Sequence, residues 1–212
     1  MWFDARSLSR PYTTGWERYT RELALRLPEL LDIEIWQPKV NSRPHLLVSD
    51  FLAAKKSRNF QVAHFPTYPP RKISEAKNQV ITVHDLTWWK YPEFSSFLGR
   101  NYYKSNMEKA IRQSNKIIVP SISIKNDLVE NFSLSESLVE VIAHGNSLPK
   151  GIIKSPHKPY FLSVGTVEPR KNLDFYAQAI KQRGLQKDFD FIHIGRTGWG
   201  NIPSELQHTT NA

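Results

Sequence analysis

Short apolar runs alternate with helical patterns along most of the chain, as they do where strands and helices take turns in a parallel α/β sheet. Met1-Trp2-Phe3 reads as the end of a first strand, and Asp4 to Thr14 as a loop punctuated by Pro11 and Gly15. Thr13 or Thr14 can cap a helix whose Trp16, Tyr19, Leu23 and Leu27 share one face. Ile33–Trp36 and His45–Val48 read as strands, followed by a basic helix over Asp50–Arg58. Val62–Phe65 reads as a buried strand that ends at a proline-rich loop. Val80-Ile81-Thr82-Val83 is a β-branched core strand with His84 and Asp85 at its carboxyl end. A long helix over Phe94–Gln113 follows, with Tyr103, Met107, Ala110, Ile111 and Ser114 along one stripe. Then come a strand at Lys116–Val119, a helix capped by Ser121 or Ser123, and a strand at Val139–Ile142 that ends at His144-Gly145-Asn146.

The stretch from Ser147 to Pro159 holds three prolines, one glycine and three lysines, the composition of a linker. It divides the chain into a domain over 1–150 and a second over 151–212. The second shows two strands, Tyr160–Val164 and Phe189–Ile194, with one helix between them reaching about Gln182. One helix cannot cover both faces of a sheet, so this domain is expected to be cut short, with raw sheet edges.

Composition narrows the class. The 212 residues are 40% hydrophobic and include no cysteine, which excludes disulfides and thiolate chemistry. No stretch approaches the roughly 20 apolar residues of a membrane span. Net charge is +9, and it is uneven: between Lys39 and Lys77 eight basic residues stand against Asp50 and Glu75, a net of +6. Such a segment attracts polyanions, whether phosphorylated small molecules, anionic lipid or nucleic acid. No helix-turn-helix, RNP or zinc-finger pattern accompanies it, so nucleic acid is not the expected partner. The histidines lack the short spacing of a metal site, and no metal ion is expected.

The most informative stretch runs from Tyr160 to Leu173, YFLSVGTVEPRKNL. An apolar strand ends at Gly165, a turn presents Arg170 and Lys171, and Asn172 can cap the helix that carries Leu173, Tyr176, Ala177 and Ile180. Backbone N–H groups, the positive end of a helix dipole and two cations then meet at one point, which suits a diphosphate.

This run resembles the donor-binding loop of family 4 glycosyltransferases, enzymes of the GT-B fold. Other segments match that family in order: Asp4-Ala5-Arg6-Ser7-Leu8 with Thr14–Tyr19, His64-Phe65-Pro66 with Tyr68-Pro69-Pro70, Thr82–Leu86 with Tyr91-Pro92-Glu93, Val141–Gly145, and Phe191–Trp199. The resemblance spans nearly the whole chain and is nearest in pattern to mannosyl- and rhamnosyltransferase-like members. It implies two Rossmann-like domains facing across a cleft, the second one incomplete here. It also implies transfer of a hexose from a nucleotide-sugar to a polysaccharide or lipid-linked sugar, with retention and with no cofactor beyond that co-substrate.

By the same resemblance Arg170, Lys171, Gly15 and Gly165 contact the donor phosphates, and His84 and Asp85 are the catalytic candidates. Asp85 reads equally well as a turn residue. His64, Tyr68 and His144 are candidates for acceptor or sugar contact, although histidines at strand ends often only satisfy backbone carbonyls. Trp16 and Glu17 stand where many members have glycine or a compact aliphatic residue. The family's later pair of glutamates, which holds the donor ribose and sugar, has no counterpart, so a binding-only fragment is the second expectation. The expected setting is cytoplasmic, peripheral on the inner membrane face, with the Lys39–Lys77 region against anionic lipid.

Overall fold

The computed structural model describes residues 1–9, 13–39, 43–67, 74–94, 97–146, 158–198, 200–204 and 207–209. The chain divides into two compact units, Met1–Ser147 and Leu148–Ala212. The linker expected over Ser147–Pro159 lies almost entirely outside the described residues.

The first unit is a six-stranded, wholly parallel sheet with helices, the Rossmann-like α/β arrangement. Its strands are β1 (Trp2–Asp4), β2 (Glu34–Trp36), β3 (Val62–Phe65), β4 (Asn78–Thr82), β5 (Lys116–Val119) and β6 (Val139–Val141). They lie in the order β2-β1-β3-β4-β5-β6. Their helices are α1 (Gly15–Arg26), α2 (Arg43–Lys56), α3 (Thr87–Lys90), α4 (Phe97–Gln113) and α5 (Ile122–Phe132). The chain steps from β1 out to β2, then back past β1 to β3, so the direction of winding reverses between β1 and β3. Open parallel sheets bind ligands at the carboxyl ends of strands beside such a reversal.

The central strands are closed over by Trp2, Phe65, Ile81, Val83, Met107, Ile111, Ile117, Val119 and Leu128, all essentially buried. The expected α4 stripe is this packing surface: Met107, Ala110, Ile111 and Ser114 face inward. Helix α1 starts with a capping box, in which the Thr14 N–H donates to Glu17 Oε2 at 2.9 Å while the Thr14 hydroxyl bonds the same carboxylate. That explains Glu17, which is buried at the helix start. The Ser121 hydroxyl accepts from Ile124 N–H at the start of α5.

One segment departs from its expected form. His45–Val48 is not a strand; it is the first half of α2, which runs unbroken from Arg43 to Lys56. Only Val48 in that run is β-branched, and Ala53 and Ala54 further along favour a helix.

The second unit is a three-stranded parallel sheet, β7 (Tyr160–Val164), β8 (Asp190–Ile194) and β9 (Gln207–Thr209), in that order, with α6 (Leu173–Arg183) between β7 and β8. It therefore has three strands rather than the expected two. Leu173, Ala177 and Ile180 of α6 are buried, whereas Phe161, Leu162 and Val164 of β7 are exposed. Gly184, in the left-handed region at φ 63°, closes α6.

Candidate functional site

The residues Asp4-Ala5-Arg6 build the floor at the end of β1. Arg6 is fully buried and its guanidinium grips Asp4, with Nε to Oδ1 at 2.9 Å and Nη2 to Oδ2 at 2.7 Å. It also bonds Asp50 of α2, so three buried charges tie the end of β1 to α2. A second polar layer lies beside it. The Ser7 hydroxyl donates to Thr20 Oγ1 at 3.0 Å, and Thr20 meets Thr67 at 2.7 Å, linking α1 to the ends of β1 and β3.

Above this floor stands a cluster of rings. The register pairs His64 with Val80, so Thr82, two residues further along β4, projects from the same face as His64. His64 Nε2 lies 2.9 Å from Thr82 Oγ1, and the Tyr19 hydroxyl of α1 lies 3.3 Å from the same oxygen. Burial, helped by the nearby His84, pushes the His64 pKa down to about 4. This ring is neutral at physiological pH.

His84 continues from β4. Its Nε2 lies 2.8 Å from the carbonyl oxygen of Pro66. A carbonyl only accepts, so Nε2 carries the proton and Nδ1 is the acceptor of the ring. The ring is enclosed on several sides: Trp16 stacks on it at 5.9 Å, Tyr19 meets it edge-on at 4.9 Å, and His144 lies at 5.4 Å. Trp16 also stacks on Tyr103 of α4 at 5.9 Å. Burial lowers the His84 pKa; the bond to Pro66 and the Asp85 carboxylate oppose that, and His144 adds to it. His144, at the exposed end of β6, packs on Tyr19 at 4.7 Å and is itself lowered by partial burial. Burial raises the Tyr19 pKa, keeping that phenol protonated.

The other candidates of this unit divide. Asp85 accepts the Thr87 N–H at 2.9 Å, which makes the turn into α3, and its carbonyl accepts Trp88 Nε1–H at 3.1 Å. Gly15 is the first residue of α1, and a Cβ there would meet nothing within 4 Å, so the approach to the helix start is open. Tyr68 lies outside the described residues. Among the described residues no group of three His, Cys, Asp or Glu side chains is placed to hold a metal ion.

The second unit has its own strand-end arrangement, built mostly from backbone. Two loops, 165–168 after β7 and 195–200 after β8, lie against each other. Gly165 N–H donates to the Ile194 carbonyl and Val167 N–H to the Arg196 carbonyl, both at 2.9 Å. A Cβ on Gly195 would lie 1.8 Å from the Gly165 carbonyl oxygen, and one on Gly198 would lie 2.2 Å from that of Val167. Glycine is required at both points by contact alone. His193 is completely buried in β8, with Nε2 2.9 Å from the Gly165 carbonyl, to which it donates.

Over this base a 3-10 turn, Pro169–Lys171, carries the two cations. Gly165 has φ +144°, and a Cβ on it would sit 3.2 Å from Lys171 Cε and 3.4 Å from Nζ. The Lys171 ammonium therefore rests over Gly165. The Arg170 guanidinium turns instead to Glu168, Nε to Oε1 at 2.6 Å. Asn172 adopts the left-handed conformation, φ 49°, and its side chain makes no cap. Its backbone carbonyl, rather than the expected side-chain oxygen, accepts the Phe175 N–H at 3.1 Å. The carboxamide is committed to no helix N–H.

Sequence reasoning missed Tyr19, Thr82 and Trp16 as members of the ring cluster. Their aromatic and hydroxyl character was visible, but Thr82 meets His64 only through the pairing of β3 with β4, and Trp16 and Tyr19 reach His84 only through the packing of α1 at the end of β4.

The family assignment follows from comparison with known proteins. The sequence model of Glycosyltransferase Family 4 matches residues 19–148, more than half of the chain. The O-antigen chain mannosyltransferase RfbU of Salmonella typhimurium is 26% identical over 125 residues, which cover 58% of this chain and 34% of that protein. The chain thus spans about a third of the length of the curated relative it matches. With its parallel sheets and strand-end sites, the chain belongs to glycosyltransferase family 4.

Proposed function

We propose that this chain acts in moving a hexose from a nucleotide-sugar to a polysaccharide or lipid-linked sugar acceptor, with retention of configuration. The observation that carries this reading is the Lys171 ammonium resting over Gly165 at the end of β7, beside the start of α6. A nucleotide-sugar departs as a diphosphate, and breaking its bond to the sugar carbon leaves negative charge on the phosphate oxygens. A fixed ammonium and a helix start stabilise that charge most where it develops. Arg170 supplies a second cation, partly neutralised by Glu168. The ring cluster of the first unit has the opposite character. Neutral His84 offers Nδ1 to a sugar hydroxyl, and the Tyr19 ring beside it suits the apolar side of a sugar ring. The similarity to a mannosyltransferase makes a mannose-like hexose the first donor to try.

Calorimetry on the full chain with guanosine and uridine diphosphates tests the phosphate half. Lys171→Ala should weaken the better of the two about 10- to 150-fold, the worth of one hydrogen bond to a charged group. Arg170→Ala should weaken it less, and Glu168→Ala should tighten it by freeing Arg170. Equal affinity in wild type and Lys171→Ala removes the donor site from this turn. Release of nucleoside diphosphate from a sugar nucleotide then separates an active transferase from the second reading, a domain that only binds acceptor or partner.

A further inference from the structure

We propose that the outer edge of β7 pairs with the same edge of a second copy of this chain, joining the two small sheets into one. β7 ends the order β7-β8-β9, and among the described residues no strand lies beyond it. The Asp190 N–H donates to the Pro159 carbonyl, and the Gly165 N–H to the Ile194 carbonyl. In a parallel pair alternate residues turn both peptide groups toward the neighbour, so Phe161 and Ser163 face β8 in the same way. Tyr160, Leu162 and Val164 therefore direct their N–H and carbonyl groups away from β8. Their side chains share one face of the strand and are 39%, 50% and 64% exposed.

The other described sheet edges are blunted, and this one is not. β2 and β6 run three residues each and carry Glu34 and Glu140, and β9 is as short. β7 keeps unbroken register with β8 over five residues, Tyr160–Val164, none of them charged, proline or glycine. A row of backbone donors and acceptors calls for another strand rather than a hydrocarbon layer. The strand also complements itself. Antiparallel pairing about a two-fold axis at Leu162 sets Leu162 against Leu162 and Tyr160 against Val164, with about six backbone hydrogen bonds. Apolar side chains then meet apolar side chains, and no charge faces its like. Lys158 stands opposite Thr166 of the second copy in this register, and its ammonium is already 3.3 Å from Asp190 and 3.0 Å from the Gln186 carbonyl. Because the paired strands run in opposite directions, the two Gly165–Lys171 turns lie at opposite ends of the joined sheet. This inference does not rest on the sugar-transfer reading, and its test involves no sugar.

The test is sedimentation equilibrium of the full 24.6 kDa chain over a range of concentrations. A reversible dimer and nothing larger is expected, since a two-fold contact closes on itself. Leu162→Lys and Leu162→Glu each set like charges face to face, and each should raise the dimer dissociation constant about 100-fold or more. The two variants mixed should recover a dimer, because opposite charges then meet across the strands. Leu30→Lys, at an exposed apolar residue of the first unit, should leave the dimer unaltered. Hydrogen exchange in the wild-type chain gives the location, and it decides the matter even where a variant fails to fold. The amides of Tyr160, Leu162 and Val164 should become protected as the dimer forms. A monomer at every concentration overturns the proposal, as does a dimer that Leu162→Lys leaves intact or that Leu30→Lys dissolves. Amides of Tyr160, Leu162 and Val164 that exchange equally fast in monomer and dimer overturn it too, because the contact then lies elsewhere.

Discussion

The two units end their central strands in opposite chemical styles. At the ends of β3 and β4 the first unit gathers side chains: His64, Thr82, Tyr19, His84, His144 and Trp16, joined by hydroxyl bridges and ring contacts. All three histidines have lowered pKa values, so the cluster is neutral and rich in acceptors. At the end of β7 the second unit clears side chains away. Gly165, Gly195 and Gly198 let two loops touch through their backbones, and the Lys171 ammonium lies over Gly165. A neutral aromatic cluster discriminates hydroxyl patterns, whereas a backbone cradle with a cation takes any phosphate. Under the function proposed above, this difference divides the work: substrate choice in the first unit, charge stabilisation in the second.

The sharpest way to break that division is Gly195→Ala. The new methyl would have to share space with the Gly165 carbonyl oxygen, 1.8 Å away, and backbone cannot yield as a flexible side chain can. A clash of this kind belongs with the largest single-substitution costs, about 4 kcal/mol or more. Urea denaturation should show the second unit lost, and with it any binding of nucleoside diphosphate. The first unit should keep its near-ultraviolet signal from Trp2, Trp16 and Trp88. If both units unfold together, the two sites are not separable and the division fails.

A smaller effect tests the neutrality of the first site. The folded His64 pKa is about 4, below the ordinary 6.5 of the unfolded chain. Between those values the unfolded state binds more protons than the folded one. The stability tied to this ring is therefore complete above pH 6.5 and is lost as pH falls through about 4. The shift corresponds to about 2 kcal/mol lost between pH 7 and pH 5. His64→Gln, which can still bond Thr82, should flatten that slope in urea melts taken across the range. A variant as pH-sensitive as wild type would mean that another group sets the acid limit.

How much of this was visible in the chain depends on distance along it. The β-branched run Val80–Val83 is a strand by composition alone, and the turn through Gly165, Arg170 and Lys171 is legible because its parts are contiguous. The α2 segment misled because its outer face is apolar too: with Val48, Phe51 and Leu52 outside, no helical period separates inside from outside. Strand β9 gave no sign, since Gln207-His208-Thr209 is short and polar. Arg6 finds Asp50 across 44 residues, and His64 finds Thr82 only through strand register. Long-range partners like these follow from topology, which periodicity does not encode. The turn role of Asp85, by contrast, is local, and was foreseeable from its place two residues before Thr87.

The smallest effect concerns Trp16, near the start of α1. Its ring is nearly parallel to both His84, at 22°, and Tyr103, at 17°, so it bridges α1, the end of β4 and α4. Aromatic pairs of this kind are worth about 0.5–1.5 kcal/mol each beyond their buried area. Trp16→Ala removes both contacts and opens one face of His84 to water. Burial is the main cause of the lowered His84 pKa, so that pKa should move up toward 6.5, read from the ring proton in an NMR titration. Trp16→Phe, which keeps a flat apolar face, should restore most of the depression, while simple loss of helix stability would affect both variants by thermal melt. If the His84 titration is the same in Trp16→Ala as in wild type, the burial that lowers this pKa comes from the ring's other neighbours, Tyr19 and His144. The aromatic wall then belongs to the fold of α1 rather than to the chemistry of the site.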